Sequence, residues 1–369
     1  MSHQEYTNEL IKKQYFAYLE ESEGFSQSSI DAHENAIILW QEFTKQDDLG
    51  KFNKKSAVEF KEWLKQKPSN GKGKHLSLSY CYSNLQRLKK FFDWLSKQPN
   101  YKSRIVQTDI QFLNLSKKDA RAALATTRKK IPSMDEVIRL IESIEPKTEV
   151  DMRDRALLCF TLLTGARITA ISSLPIESFD KNGLTVDQNP KLGVRTKFDK
   201  RIVTTFFPIP YEPARKHFID WFDYLVGEKG YKLTDPLFPS TKLENGHENI
   251  NYYNTGEVEP KFWKNSSSAR KIFEKRYLAA GLPYYHPHTL RHLVVHEFTK
   301  IPLTEEEKKA ISQNLGHENV GTTFGSYGYG SINEEKQISI VRNIDLNGTR
   351  SEVRYQLTEA EIANLLNRK

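Results

Sequence analysis

Over roughly its first hundred residues the chain sets its apolar side chains at intervals of three and four, a spacing that leaves packed amphipathic helices as the natural fold. Leu10, Ile11, Phe16 and Leu19 form one stripe. Ser28 or Ser29 is placed to cap a second helix carrying Ile30, Ile37, Leu39, Trp40 and Phe43. A third helix carries Val58, Phe60, Trp63 and Leu64, and a fourth Leu78, Leu85, Leu88, Phe91, Phe92 and Leu95. The stretch Pro68-Ser-Asn-Gly-Lys-Gly punctuates them. Aromatic residues at these positions read as core rather than as platforms for stacked bases. The expected product is a small helical bundle.

After residue 100 the clean apolar period is lost, and the stretch ends in the basic run Arg128-Lys-Lys. Pro132 follows, then Ser133-Met-Asp-Glu136, a capping box that opens a new helix. This divides the chain into a helical domain over 1–120, a linker over 121–131, a second domain over 132–345 and a tail over 346–369. The second domain mixes element types. Residues 151–164 read as a buried helix. Between 184 and 209 the pattern turns strand-like: Leu184-Thr-Val186, Gly193-Val-Arg-Thr, a polar turn Phe198-Asp-Lys, and Arg201-Ile-Val-Thr-Thr-Phe-Phe-Pro-Ile. Helices are expected again over 212–226, 267–280, 288–299 and 304–314, the last opened by the box Thr304 and Glu307. Another box, Thr358 with Glu361, marks a C-terminal helix. The polar, Asn- and Gly-rich segment 239–261 reads as a surface loop. The fold class expected is mainly α with a small β-hairpin or sheet: a helical bundle followed by an α+β domain.

Charge narrows the class of partner. The 369 residues carry a net charge of +8, but unevenly. Residues 1–50 hold 3 Lys/Arg against 10 Asp/Glu, and residues 51–130 hold 20 against 5. A block of +15 over 80 residues suits a polyanion, although a solvated lysine-rich face is the plainer reading. No apolar run approaches the ~20 residues that cross a bilayer. The polar, acidic N-terminus does not read as a signal peptide. Two cysteines, Cys81 and Cys159, leave no disulfide framework or cysteine-based zinc site. The chain reads as cytoplasmic, with no membrane partner.

Four local features carry chemistry. In Leu163-Thr-Gly-Ala-Arg167 a buried helix breaks at Gly165 and presents an arginine, whose fork of donors suits phosphate. In His286-Pro-His288-Thr-Leu-Arg291-His292, His288 and Arg291 stand three apart, on one helix face. A histidine there can move a proton near neutral pH. His288, His292 and His296 also follow a spacing that could line a metal site. The zinc-protease pattern, however, needs Glu directly after the first histidine, and Leu293 follows His292. His292 and His296 therefore read as core or supporting residues. In Leu315-Gly-His317 a helix stops at glycine and holds a histidine at its end. Finally Tyr327 lies in Thr322-Thr-Phe-Gly-Ser-Tyr327-Gly-Tyr329-Gly, too glycine-rich to be core. Each feature alone is ordinarily structural.

Taken in order, they resemble the tyrosine recombinases, the phage-integrase type: Arg in a T-G-x-R turn, then H-x-L-R-H, then L-G-H and a tyrosine about ten residues on. The N-terminal bundle resembles that family's SAM-like core-binding domain, so the likeness spans nearly the whole chain. The resemblance implies site-specific DNA recombination, such as integration or excision of a mobile element. It implies that Arg167 and Arg291 hold the oxygens of the scissile phosphate. Tyr327 would attack phosphorus to give a 3′-phosphotyrosine and free a 5′-hydroxyl. His288 would be the general base, His317 would hydrogen-bond the phosphate, and a hairpin lysine would protonate the leaving oxygen. Lys197 is the candidate, with Lys200 as runner-up. Neither metal nor nucleotide cofactor is implied. The partners implied are double-stranded DNA at recombination sites, three further copies in a homotetramer on DNA, and accessory DNA-bending proteins, all at the nucleoid. The segment after the tyrosine would pack on a neighbouring subunit.

The chain departs from the family pattern twice. Ala170 stands where the family often has an acid three residues after the first arginine, which implies a weakened or rearranged support for Arg167. The step from His317 to Tyr327 is ten residues where about nine is usual, so Tyr329 is the rival nucleophile. Two other functions compete: a catalytically inactive DNA-binding relative, and a type IB topoisomerase-like relaxing enzyme. Covalent capture of DNA separates the first from the recombinase. Recombinant products separate the second.

Overall fold

Two packed units divide the chain, Met1–Thr127 and Arg128–Lys369. A computed structural model describes residues 3–69, 75–125, 130–245 and 252–325. Tyr327, Tyr329, the helix expected from Thr358 and the whole tail over 346–369 lie outside the described residues.

In the first unit the helical spacing gives α1 (His3–Ala17), α2 (Gln27–Thr44), α3 (Lys54–Gln66) and α4 (Leu78–Leu95). A further helix, α5 (Lys117–Leu124), carries the unit past residue 120 and packs on α4. Its sequence shows little apolar period because a single side chain, Ala123, is buried. Trp40 sits at the centre of the core, its ring 5.0–5.8 Å from those of Phe43, Phe52, Phe60 and Phe92. Phe60, Phe91 and Phe92 are buried with it, so these rings are core, as their spacing indicated. Leu10 and Val58 are corrections: both face solvent, and Ile11 and Ala57 take the inward places. The second helix begins two or three residues earlier than expected. Ser26 is its N-cap, and Ser28 and Ser29 lie in the first turn, their hydroxyls against that of Ser26.

Sequence reading did not single out the buried pair Tyr15 and His33, whose Oη and Nδ1 are 3.0 Å apart. Burial, then the charges of Arg87 and Lys90, push the His33 ring down to about 4. Unfolding returns it to its ordinary value of 6.5. Between those values the unfolded chain binds a proton that the folded one refuses. Its contribution to stability is therefore whole above pH 6.5 and is lost as pH falls toward 4, at up to about 1.4 kcal/mol per pH unit. Unfolding free energies measured at pH 7 and pH 5 should differ less in His33→Gln than in the parent. An equal difference in both would remove His33 as a cause of acid lability.

The second unit is built round α7 (Glu149–Thr164), which follows α6 (Met134–Glu142) and is buried on every side from Ala156 to Thr164. Both its boundary and that of α6 are set by reciprocal capping boxes, Thr148 with Asp151 and Ser133 with Glu136. A short α8 (Ile168–Ile171) leads to a three-stranded antiparallel sheet of β1 (Phe179–Asp180), β2 (Thr185–Gln188) and β3 (Ile202–Thr205). Asp187 pairs with Val203 and Gln188 with Ile202. The segment from Gly193 to Thr196, expected as strand, is not paired. Gly193 has φ 80°, and the Arg195 side chain donates to the carbonyls of Lys264 and Ser172. This replaces a ladder with tertiary anchors.

Then come α9 (Pro213–Asp223), a second hairpin of β4 (Ser240–Asn245) and β5 (Tyr252–Glu259), α10 (Ser267–Ala279), α11 (His288–Phe298), α12 (Glu305–Asn314) and α13 (Val320–Thr323). The β4–β5 hairpin corrects the surface loop expected over 239–261. Its Asn and Gly content masked a strand that Glu149 tethers. Glu149 accepts from the Val258 backbone at 2.8 Å, from Tyr224 Oη at 2.7 Å and from Lys229 Nζ at 2.8 Å. Arg153 and Arg276 share the buried Asp154 carboxylate and fix α7 to α10. The architecture is mainly helical with small antiparallel sheets, as the sequence indicated. Among the described residues no helix is long and apolar enough to cross a membrane. Cys81 and Cys159 are both free thiols inside helices, fully buried.

Candidate active site

Three backbone breaks bring the chemistry together. The first is the end of α7. Gly165 takes φ 58°, in the left-handed region, and a Cβ there would stand 2.8 Å from Leu315 Cδ2. Glycine takes that backbone conformation without strain, and its freed carbonyl turns toward α11. The next residue but one, Arg167, is the N-cap of α8.

The second break is the end of α12. Gly316 has φ 72°, and a Cβ on it would lie 2.5 Å from Ile202 Cδ1 of β3. Asn314 holds this end against β3: its side chain accepts from the Thr205 backbone at 2.7 Å and donates back to the Thr205 carbonyl at 3.0 Å. Thr204 adds a hydroxyl bond to the Asn314 carbonyl at 2.8 Å. His317 thus emerges from a glycine turn seated on the sheet.

The third is the turn between β2 and β3, where Phe198 and Asp199 adopt φ 61° and 47°. Lys197 opens this turn, its ammonium 4.7 Å from the centre of the exposed Phe198 ring. Lys200 is instead tied to Glu318, at 3.0 Å. The two lysines differ in that respect: Lys200 is matched with a carboxylate beside His317, whereas the Lys197 charge acts on the His317 ring itself.

Arg291 is where the first two of these breaks meet. Carried on α11 and only 2% exposed, it donates Nη1 to the Gly165 carbonyl at 2.9 Å and Nη2 to the Leu315 carbonyl at 2.5 Å. Nη2 also lies 2.6 Å from His317 Nε2. His317 is buried, and burial followed by the charges of Arg291, Arg167 and Lys197 pushes its ring down to about 3. At neutral pH it is an uncharged imidazole among three cations. Arg167 is half-buried, and among the described residues its guanidinium has no hydrogen-bonding or ion-pair partner. Ala170, which takes the place of an acid, is itself buried and offers nothing to it. Among the described residues the Arg167 charge thus has no matching carboxylate, which suits it to holding an anion.

His288 opens α11 one turn before Arg291, half-buried, its ring edge-on to that of His292 at 5.2 Å. His296, read from sequence as core or supporting, is exposed. Among the described residues no group of three His, Cys, Asp or Glu side chains could hold a metal ion. The structure thus joins Arg291 and His317 directly and adds the fields of Arg167 and Lys197. Tyr327 lies outside the described residues.

Sequence reading missed the carbonyls of Gly165 and Leu315, because backbone acceptors leave no signature in residue type. It also missed Thr323 and Ser312. His317 Nδ1 is 2.8 Å from Thr323 Oγ1, which donates to Ser312 Oγ at 2.9 Å.

A model of the phage integrase family matches residues 133–329. The tyrosine recombinase XerC of Lactobacillus delbrueckii subsp. bulgaricus is 22% identical over 320 residues, covering 85% of this chain and 92% of that one. XerC of Lactobacillus leichmannii is 22% identical over 321 residues, with the same coverage. Among solved structures, a lambda integrase fragment in a dimer bound to a COC′ core site has a TM-score of 0.57 at 15% identity, covering 88% of this chain and 99% of that one. The XerH recombinase bound to its difH substrate gives 0.54 at 18%, covering 90% and 84%. These structural likenesses concern the fold.

Proposed function

The chain belongs to the phage integrase family of tyrosine recombinases, site-specific DNA recombinases, and from that premise we propose that it breaks and rejoins DNA through a covalent 3′-phosphotyrosine on Tyr327. The observation that carries the proposal is the convergence on Arg291. The T-G-A-R turn, the H-T-L-R helix and the L-G-H turn, far apart in sequence, meet at one buried guanidinium.

Each residue then has a task. Arg167 and Arg291 take the non-bridging oxygens of the scissile phosphate, whose charge grows as a fifth oxygen approaches phosphorus. His317 closes the same pocket beside Arg291. The Tyr327 hydroxyl passes its proton to His288 as its oxygen bonds to phosphorus. The bond from phosphorus to the 5′-oxygen breaks, and Lys197 gives that oxygen a proton. A 5′-hydroxyl from another strand reverses these steps and releases the tyrosine, so the bond energy is kept without a nucleotide. Four copies on paired sites, with accessory DNA-bending proteins, would integrate or excise a mobile element. Incubation with a nicked suicide substrate tests the reading. A covalent adduct followed by recombinant products supports recombination. Relaxation of supercoils without such products would favour a topoisomerase, and binding without an adduct an inactive relative.

The basic block over 51–130 is assigned to phosphate contacts. If it and the active site neutralise about 6–10 phosphates, affinity should fall roughly 10³–10⁵-fold between 50 and 200 mM salt. Titration of labelled duplex across that range measures the slope, and a flat response would remove the block from the interface.

A further inference from the structure

The His317 ring stands in a one-way chain of hydrogen bonds. Its Nε2 faces Arg291 Nη2 at 2.6 Å, and a guanidinium only donates. Nε2 therefore offers its lone pair, and the ring proton sits on Nδ1. That proton points to Thr323 Oγ1 at 2.8 Å. Thr323 donates to Ser312 Oγ at 2.9 Å, and Ser312 donates to the Asn319 carbonyl at 3.4 Å. A carbonyl cannot donate, so reversing the chain would leave it without its donor. His317, Thr323 and Ser312 are 6%, 0% and 1% exposed, which leaves water little room to substitute for a lost link.

We propose that Thr323 and Ser312 are positioning residues: they hold His317 as its Nδ1–H tautomer, so that Nε2 aims the Arg291 guanidinium at the scissile phosphate. The proposal rests on the reading of Arg291 as a phosphate ligand. It gives His317 a task exerted through Arg291 rather than by donating to the phosphate. It also ties the arginine to the chain leading to the nucleophile, because Thr323 ends α13 four residues before Tyr327. Thr323→Val keeps the shape and removes the hydroxyl. The ring then loses the acceptor of its Nδ1 proton, and the cost of that buried, unpaired N–H opposes the tautomer that the Arg291 donor favours.

The test is nitrogen NMR of the full chain labelled with ¹⁵N-histidine, the His317 signals being those lost in His317→Asn. The parent should show His317 protonated at Nδ1. Thr323→Val should move it to the Nε2–H form or a mixture, and Thr323→Ser should restore it. A parent protonated at Nε2, or a Thr323→Val protein with an unchanged tautomer, overturns the relay. Single-turnover cleavage of a suicide substrate is the second readout. Thr323→Val should cut about 10–100-fold more slowly, the scale of losing a group that orients a site ligand, with DNA affinity unchanged and Thr323→Ser recovering the rate. A shifted tautomer with an unchanged rate overturns the positioning role. The NMR readout needs no DNA, so the relay is judged even if the parent cuts nothing.

Discussion

Arg291→Ala is expected to abolish DNA cleavage and to cost roughly 2–5 kcal/mol of stability, and both losses have one origin. The guanidinium joins the Gly165 carbonyl on the α7 turn, the Leu315 carbonyl at the end of α12 and the His317 ring. Alanine leaves these acceptors buried without their donor and opens a cavity among α7, α11 and α12. Arg291→Lys separates the two effects. Lysine supplies charge and one or two donors, so it should retain much of the stability. It has no planar fork, so it cannot hold the carbonyls and a phosphate oxygen together. Cleavage should still fall about 10²–10³-fold, the scale of removing one donor from a charge-stabilising site, while DNA affinity changes little. Denaturant unfolding and single-turnover cleavage measure the pair. A lysine variant that cuts like the parent would remove Arg291 from phosphate chemistry and leave it as a packing residue.

Tyr327→Phe should bind DNA as the parent does and form no adduct, with cleavage reduced by about 10⁴-fold or more, because no other group supplies the attacking oxygen. Tyr329→Phe should retain the adduct. The comparison is needed because the step from His317 to Tyr327 is one residue longer than the family's usual spacing. Adduct formation that survives Tyr327→Phe and fails in Tyr329→Phe would transfer the role.

Much of this was legible in the residues, and the failures have physical causes. The periods of Ile30 to Phe43 and Leu78 to Leu95 mark helices because each buries one face. The capping boxes at Ser133 and Thr304 set helix starts that the structure reproduces. The β4–β5 hairpin was missed because its strongest tether, Glu149, is about a hundred residues away in sequence. The segment Gly193–Thr196 carries strand formers, yet Arg195 spends its donors on loop carbonyls. Of the proposed site, Arg167, His288, Arg291 and His317 could be singled out from residue type and spacing, whereas Lys197 was reached only through the family resemblance, with Lys200 as its rival. The glycines at 165 and 316 could be read as helix stops. The second task of Gly316 could not: it must also be small enough for Ile202 of β3 to close on it. Nor could the residues give the direction of the hydrogen bonds through Thr323 and Ser312, which depends on three segments meeting.

The central claim is covalent catalysis by one tyrosine, and the most direct measurement locates the bond. The full chain is trapped on a nicked attachment-site duplex, digested, and the nucleotide-bearing peptide sequenced by mass spectrometry. The account predicts a 3′-phosphate linkage on Tyr327. A linkage on Tyr329, or DNA bound in full with no linkage on any residue, would contradict it.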